Sequence, residues 1–229
     1  MSAGALAALS AEVIACRRCP RLVAWREDVA RVKRAAFAGE EYWGRPLPGF
    51  GDPRASVIVL GLAPAAHGGN RTGRIFTGDR SGDWLFGALW RLGFANQPSS
   101  VSRDDGLRVR DCYIAAAVRC APPANRPLPS ERENCQPYLL RELALLSALR
   151  VVVCLGGFAW EVAFRALAAR GAAPVRPRPR FGHGASATVD SLTLLGCYHP
   201  SQQNTFTGRL TEAMMDDVLV AARKRAGLD

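Results

Sequence analysis

Ser56-Val-Ile-Val-Leu60 runs without a polar break into Gly61-Leu-Ala-Pro64, and Arg150-Val-Val-Val-Cys-Leu155 runs the same way into Gly156-Gly157. A short, continuously apolar run that stops at glycine is the pattern of a strand buried on both faces of a parallel sheet. Residues 112–118 and 192–198 read as two more such strands. Helical patterns lie between and after them: 84–92 behind the candidate caps Ser81 and Asp83, 131–149 with Pro137 inside, 158–170, and 209–226. Upstream, Leu6, Leu9, Val13, Leu22, Trp25, Val29 and Val32 fall at helical spacing, broken near Pro20, which predicts two helical pieces over 4–34. Strands alternating with helices predict one α/β domain over 1–229, its sheet covered on both faces. In such sheets ligands bind beyond the carboxyl ends of the strands, so the loops 61–82 and 198–208 are where a site is expected.

Composition narrows the class. The chain has 229 residues, 48% apolar and 22% charged, which is ordinary globular usage. No apolar run is long enough for a membrane span, and residues 1–15 lack the basic and apolar regions of an export signal, so a cytoplasmic protein is expected. Net charge is +10, and nearly all the basic residues are arginine, with lysine only at 33 and 224. Arginine forks onto phosphate, which suits a polyanionic partner; a GC-rich genome would also enrich arginine along with alanine and glycine.

Seven cysteines in a chain without an export signal argue against a disulfide framework. Cys16 and Cys19 form a C-x₂-C, and Cys120 and Cys135 lie downstream; all four sit in polar or proline-flanked segments. Four thiolates there suit a structural zinc or an iron–sulfur cluster. Cys112, Cys154 and Cys197 fall within strands and read as small core residues. The C-x₃-C-x₂-C spacing of radical enzymes is absent.

The loop Gly61-Leu-Ala-Pro-Ala-Ala-His67-Gly-Gly-Asn-Arg-Thr-Gly-Arg-Ile-Phe76-Thr-Gly-Asp79 lets backbone N–H groups approach a ligand. Gly68 and Gly73 have phosphate-loop spacing, but Arg74-Ile75 stands where Lys and Ser/Thr are required, and no helix is expected to open there. The second loop, Tyr198-His199-Pro-Ser201-Gln202-Gln-Asn204-Thr-Phe-Thr-Gly-Arg209, combines a histidine, amides and hydroxyls with an aromatic. Such side chains reach phosphates, and an apolar residue among them can enter a base stack.

The cysteine pattern, the loop GLAPAAHGGNRTGRIFTGD, AVRCAPPANRP and YHPSQQNTFTGR together resemble a family 5 uracil-DNA glycosylase over roughly 14–225. The resemblance implies a three-layer α/β/α sandwich with a central four-stranded parallel sheet. It implies a structural [4Fe-4S] cluster on Cys16, Cys19, Cys120 and Cys135, the first two supplied by the N-terminal segment 1–40. It assigns catalytic roles to Asp79, His199 and Asn125, and a base-stacking role to Phe76. Gly61, Leu62, Ala63, His67, Ser201, Gln202 and Asn204 complete the expected substrate contacts. Other families of the superfamily carry a polar residue where this chain has Ala63, and the resemblance implies Asp79 as the substitute.

The implied reaction is base excision from double- or single-stranded DNA, by a monomer working near the nucleoid. The substrates would be uracil and also hypoxanthine, ethenocytosine or hydroxymethyluracil. A target base must leave the duplex to be reached, and a G·U mismatch lowers that cost. The rivals are a non-catalytic, zinc-stabilised nucleic-acid-binding module and a sugar-nucleotide enzyme using the glycine-rich loop for phosphates.

Overall fold

A computed structural model describes residues 2–228; the domain expectation also reaches Met1 and Asp229, which lie outside the described residues. In chain order the elements are α1 (Ser2–Ile14), α2 (Pro20–Val32), β1 (Phe50–Gly51), β2 (Val57–Gly61), α3 (Gly69–Thr72) and α4 (Arg80–Arg91). They continue with β3 (Cys112–Ala116), α5 (Pro129–Leu145), β4 (Val151–Leu155) and α6 (Gly157–Ala169). The last are β5 (Ser186–Val189), β6 (Leu192–Cys197), α7 (Gln202–Phe206) and α8 (Glu212–Ala226). Among the described residues no helix is long and apolar enough to cross a membrane.

One mixed sheet runs in the order β1-β3-β2-β4-β6-β5. Its centre is the four predicted strands, all parallel, with Val57 opposite both Cys112 and Val151, and Val153 opposite Leu195. The sheet is wider than the expected four strands because β1 and β5 pair antiparallel at its two edges.

Alternate side chains of the central strands feed two cores. Val57, Val59, Ile114 and Val153 pack with Leu85, Phe86 and Leu89 of α4 and Met215 and Leu219 of α8. Ile58, Leu60, Val152 and Leu194 pack with Leu139 and Leu143 of α5 and Trp160 and Leu167 of α6. That is the three-layer arrangement, and α1 lies outside it against α5.

The glycine-rich loop carries a single helical turn, α3, which ends ahead of Arg74-Ile75 and is closed by Gly73 at φ +81°. Two local expectations are corrected. Helix α4 begins at Arg80, so its cap is Asp79 and not Ser81 or Asp83; the Asp79 carboxylate accepts the Gly82 N–H at 3.0 Å. Helix α8 starts at Glu212, three residues later than predicted, capped by Thr211, which accepts the Met214 N–H at 3.2 Å.

The Arg119–Glu142 ion pair lies fully inside the protein. Arg119, just beyond β3, forks onto Glu142 of α5, its Nη1 2.9 Å from Oε1, and the Tyr113 hydroxyl donates to the same carboxylate at 3.4 Å. Removing one member of a buried pair leaves an uncompensated charge, which costs about 3–5 kcal/mol. Glu142→Leu is therefore expected to destabilise by that amount in urea titration. The double change Arg119→Met/Glu142→Leu is expected to recover much of it.

Candidate active site

The loops at the carboxyl ends of β2, β3 and β6 enclose a cavity of about 510 Å³. Leu62 and Ala63 enter it directly from β2, and Phe76 and Asp79 from the segment between α3 and α4. Asn125 arrives from a single 3₁₀ turn after β3, and His199, Ser201 and Gln202 from beyond β6. Gln203, from the loop expected to meet phosphates, and Pro64, Ala65, Ile75 and Ser81, which the sequence did not single out as site residues, complete the lining.

Three expected residues stand elsewhere. Gly61 lies under Phe76, where a Cβ would sit 2.7 Å from the ring. His67 faces away from the cavity toward Tyr42, its Nδ1 3.0 Å from the hydroxyl. Asn204 stands behind His199 and donates its side-chain amide to the His199 carbonyl at 2.8 Å.

Close backbone approach sets the positions of Phe76 and Asp79. A Cβ on Gly68 would fall onto the Asp79 carboxylate, and a Cβ on Gly82 would run into the Phe76 backbone. Phe76 itself is held at φ +53° and Asn125 at φ +55°, the left-handed region that non-glycine residues rarely adopt. Strain of this kind persists only where the surroundings over-determine it, and such positions cluster at functional sites.

The third histidine of the chain, His183, was not assigned from sequence. Its Nδ1 accepts the Tyr198 N–H at 3.2 Å, so the proton lies on Nε2, which donates to the Met214 carbonyl at 3.1 Å. It thus fixes the backbone immediately before His199. No sequence signal pointed to this, because the contact joins segments 31 residues apart.

Burial governs the charges. Removal from water pushes the His199 pKa down to about 4, so the imidazole is neutral at pH 7 and offers one N–H. Its ring lies 5.9 Å from that of Phe76, centre to centre. Burial raises the Asp79 pKa, and the Gly82 and Ser81 N–H groups partly offset that rise.

The four cysteines predicted as ligands line one small chamber. Cys16 and Cys19 come from the α1–α2 connection, Cys120 from beyond β3 and Cys135 from α5. Among the described residues no three His, Cys, Asp or Glu side chains stand as ligands of a single metal ion do. Desolvation pushes the Cys120 and Cys135 thiols up to about 12 and about 11. Arg26, 2% exposed, donates from Nη1 to the Cys120 sulfur at 3.0 Å, and its Nε has no partner. A buried cation against sulfur calls for buried negative charge, which metal-bound thiolates would supply. Cys112, Cys154 and Cys197 are buried in the two sheet cores.

Because the unfolded His199 titrates near pH 6.5 and the folded one near pH 4, the unfolded chain binds more protons between those values. Stability therefore falls as pH drops through that window. In denaturant titrations at pH 7 and pH 5, His199→Gln is expected to lose less stability than the parent protein.

Comparison with known proteins agrees with this geometry. Residues 48–223 match the family model for the uracil DNA glycosylase superfamily. The chain is 56% identical over 229 residues to a type-5 uracil-DNA glycosylase of Mycobacterium bovis, covering 99% of this chain and 84% of that protein. It is 51% identical over 215 residues to a type-5 uracil-DNA glycosylase of Thermus thermophilus, covering 93% and 95%. Identity to a type-4 uracil-DNA glycosylase of Archaeoglobus fulgidus is 32% over 154 residues, covering 67% and 60%. The sheet, the cavity at its carboxyl edge and these matches together make the chain a member of the uracil DNA glycosylase superfamily.

Proposed function

We propose that this protein removes uracil from DNA by hydrolysing its N-glycosidic bond, leaving an abasic site. The observation that carries the reading is a half-buried carboxylate of raised pKa and a neutral imidazole lining one cavity, with the aromatic Phe76 held there on left-handed backbone. Family membership agrees with it.

A flipped uracil stacks on Phe76 inside the cavity; extrusion costs a few kcal/mol and is easiest from a mismatch. As the glycosidic bond breaks, negative charge gathers on the uracil oxygens and positive charge on the sugar. Neutral His199 donates its N–H to the developing anion, in a site where a preorganised donor needs no reorganisation. Ionised Asp79, with Asn125 beside the cavity, orients a water toward the sugar carbon and takes its proton as the new C–O bond forms. The displaced uracil anion then takes up a proton from solvent. Ala63, Pro64 and Ala65 give the cavity a wall without polar side chains, which leaves room for hypoxanthine, ethenocytosine and hydroxymethyluracil.

At the rim, Phe206 is 66% exposed over the Arg80 guanidinium at 4.5 Å, and Arg209 lies over Tyr198 at 4.7 Å. These cations would meet phosphates on single- or double-stranded DNA, with a single copy of the domain sufficient.

Cys16, Cys19, Cys120 and Cys135 would hold a [4Fe-4S] cluster that fastens the N-terminal helices to the segment leading to Asn125. An iron–sulfur cube holds its thiolates farther apart than one zinc does. The four thiols share one chamber with the buried Arg26 guanidinium, which supports a group that carries negative charge on its sulfurs. Protein purified without air is expected to be brown, with broad visible absorption; a colourless protein carrying one zinc would overturn this.

Excision is read by incubating with a G·U duplex, adding alkali and measuring strand cleavage. Asp79→Asn is expected to slow the single-turnover rate about 10²–10⁴-fold. His199→Ala should cost about 10²–10³-fold with little change in DNA affinity. Gly68→Ala, which displaces the Asp79 carboxylate, is expected to resemble Asp79→Asn while remaining folded. Because Asp79 must be ionised, the rate should fall on acidification at a pH above the ordinary carboxylate range. Full excision by Asp79→Asn would remove Asp79 from the mechanism.

A further inference from the structure

The cysteine chamber and the catalytic cavity share a physical link. Arg26 of α2 has its side chain on the chamber: Nη1 reaches the Cys120 sulfur at 3.0 Å, and both terminal nitrogens reach the Cys16 carbonyl at 3.4 Å. The backbone carbonyl of the same residue accepts the side-chain amide of Asn70 at 3.1 Å. Asn70 is fully buried, its other amide atom has no partner, and it lies in α3, inside the loop between β2 and Asp79.

From Asn70 the chain of contacts reaches the cavity. The Asn70 N–H donates at 3.0 Å to the carbonyl of Ala65, a cavity-lining residue, and its carbonyl accepts the Gly44 N–H at 3.0 Å. The next residues carry the bonds that shape the loop: the Arg71 guanidinium reaches the His67 carbonyl at 2.8 Å and the Gly78 carbonyl at 2.9 Å. Gly78 directly precedes Asp79. The α2–α3 contact is thus the place where the N-terminal helices grip the catalytic loop.

We propose that Asn70 is a positioning residue that couples the cysteine-bound cluster to the catalytic loop, through Arg26 on one side and Ala65 on the other. The proposal rests on the reading of the four cysteines as cluster ligands. Bound thiolates fix the Arg26 guanidinium; the Arg26 carbonyl then has one place for Asn70, and Asn70 holds the loop from which Asp79 and Phe76 extend. The cluster thereby acts on excision through geometry, without taking part in a chemical step. It also explains why an amide, and not an apolar side chain, occupies a fully buried position: it must donate to Arg26 across α2.

The test joins hydrogen exchange to kinetics on protein purified without air. In the parent protein, removing iron with a chelator is expected to raise amide exchange over 62–74. In Asn70→Ala, iron content, visible absorption and DNA affinity should match the parent, while exchange over 62–74 is already raised. Its single-turnover excision should be about 10–100-fold slower, the cost typical of small displacements of reacting groups. Chelation should then add little further exchange, because the link is already cut. Asn70→Leu, which keeps the size and has no donor, should behave as Asn70→Ala does. Unchanged exchange in the chelated parent overturns the coupling without the use of any variant, as does a parent-like excision rate in iron-loaded Asn70→Ala. A parent protein with neither iron nor visible absorption overturns the cluster reading instead, which keeps the two failures apart.

Discussion

Residue 68 has no side chain, and the space a Cβ would take there is filled by the carboxylate of Asp79. This steric condition holds the site together. With the carboxylate pressed against bare backbone, one oxygen turns to the Gly82 N–H and starts α4, and the residue still lines the cavity. The same residue therefore ends a loop, begins a helix and carries a raised pKa. Gly61 under Phe76 and Gly82 behind it repeat the condition for the ring. Three glycines thus set where charge and aromatic surface lie, at the carboxyl edge where the topology opens a crevice.

Around that edge the two functional side chains are buried in different chemical senses. His199 loses its charge on burial and offers one N–H; Asp79 has its pKa raised by desolvation, a rise that the backbone N–H groups at the start of α4 partly offset. Two titratable groups whose surroundings set them to separate tasks are a recurrent sign of acid–base and electrostatic roles.

Much of this was legible in the chain because strands buried on both faces leave an unmistakable record. Val57 to Leu60 and Val151 to Leu155 admit few other readings, and the helices between them follow from spacing. The edges were illegible for a physical reason. Strand β1 is two residues long, and the alternation of β5 spans only Ser186, Ala187, Thr188 and Val189, too brief to stand out from a loop. The site was readable as a set of loops but not as a surface. Whether His67 points into the cavity or toward Tyr42 depends on how α3 turns, and a one-turn helix among glycines leaves no periodicity. Likewise Asn204 and His183 act on His199 and its neighbour through bonds to the main chain, which residue identity does not reveal.

The sheet's borders govern how the molecule meets others of its kind. An open strand edge invites a second chain to extend the ladder, and proteins commonly guard against it by keeping such edges short or irregular. Here one border is β1, with Gly51 at φ +133° and Pro53 following, so few ladder bonds are on offer and the backbone direction is broken at once. At the other border β5 turns two of its four side chains to solvent. Neither border therefore offers a second chain a long, regular row of unpaired backbone groups.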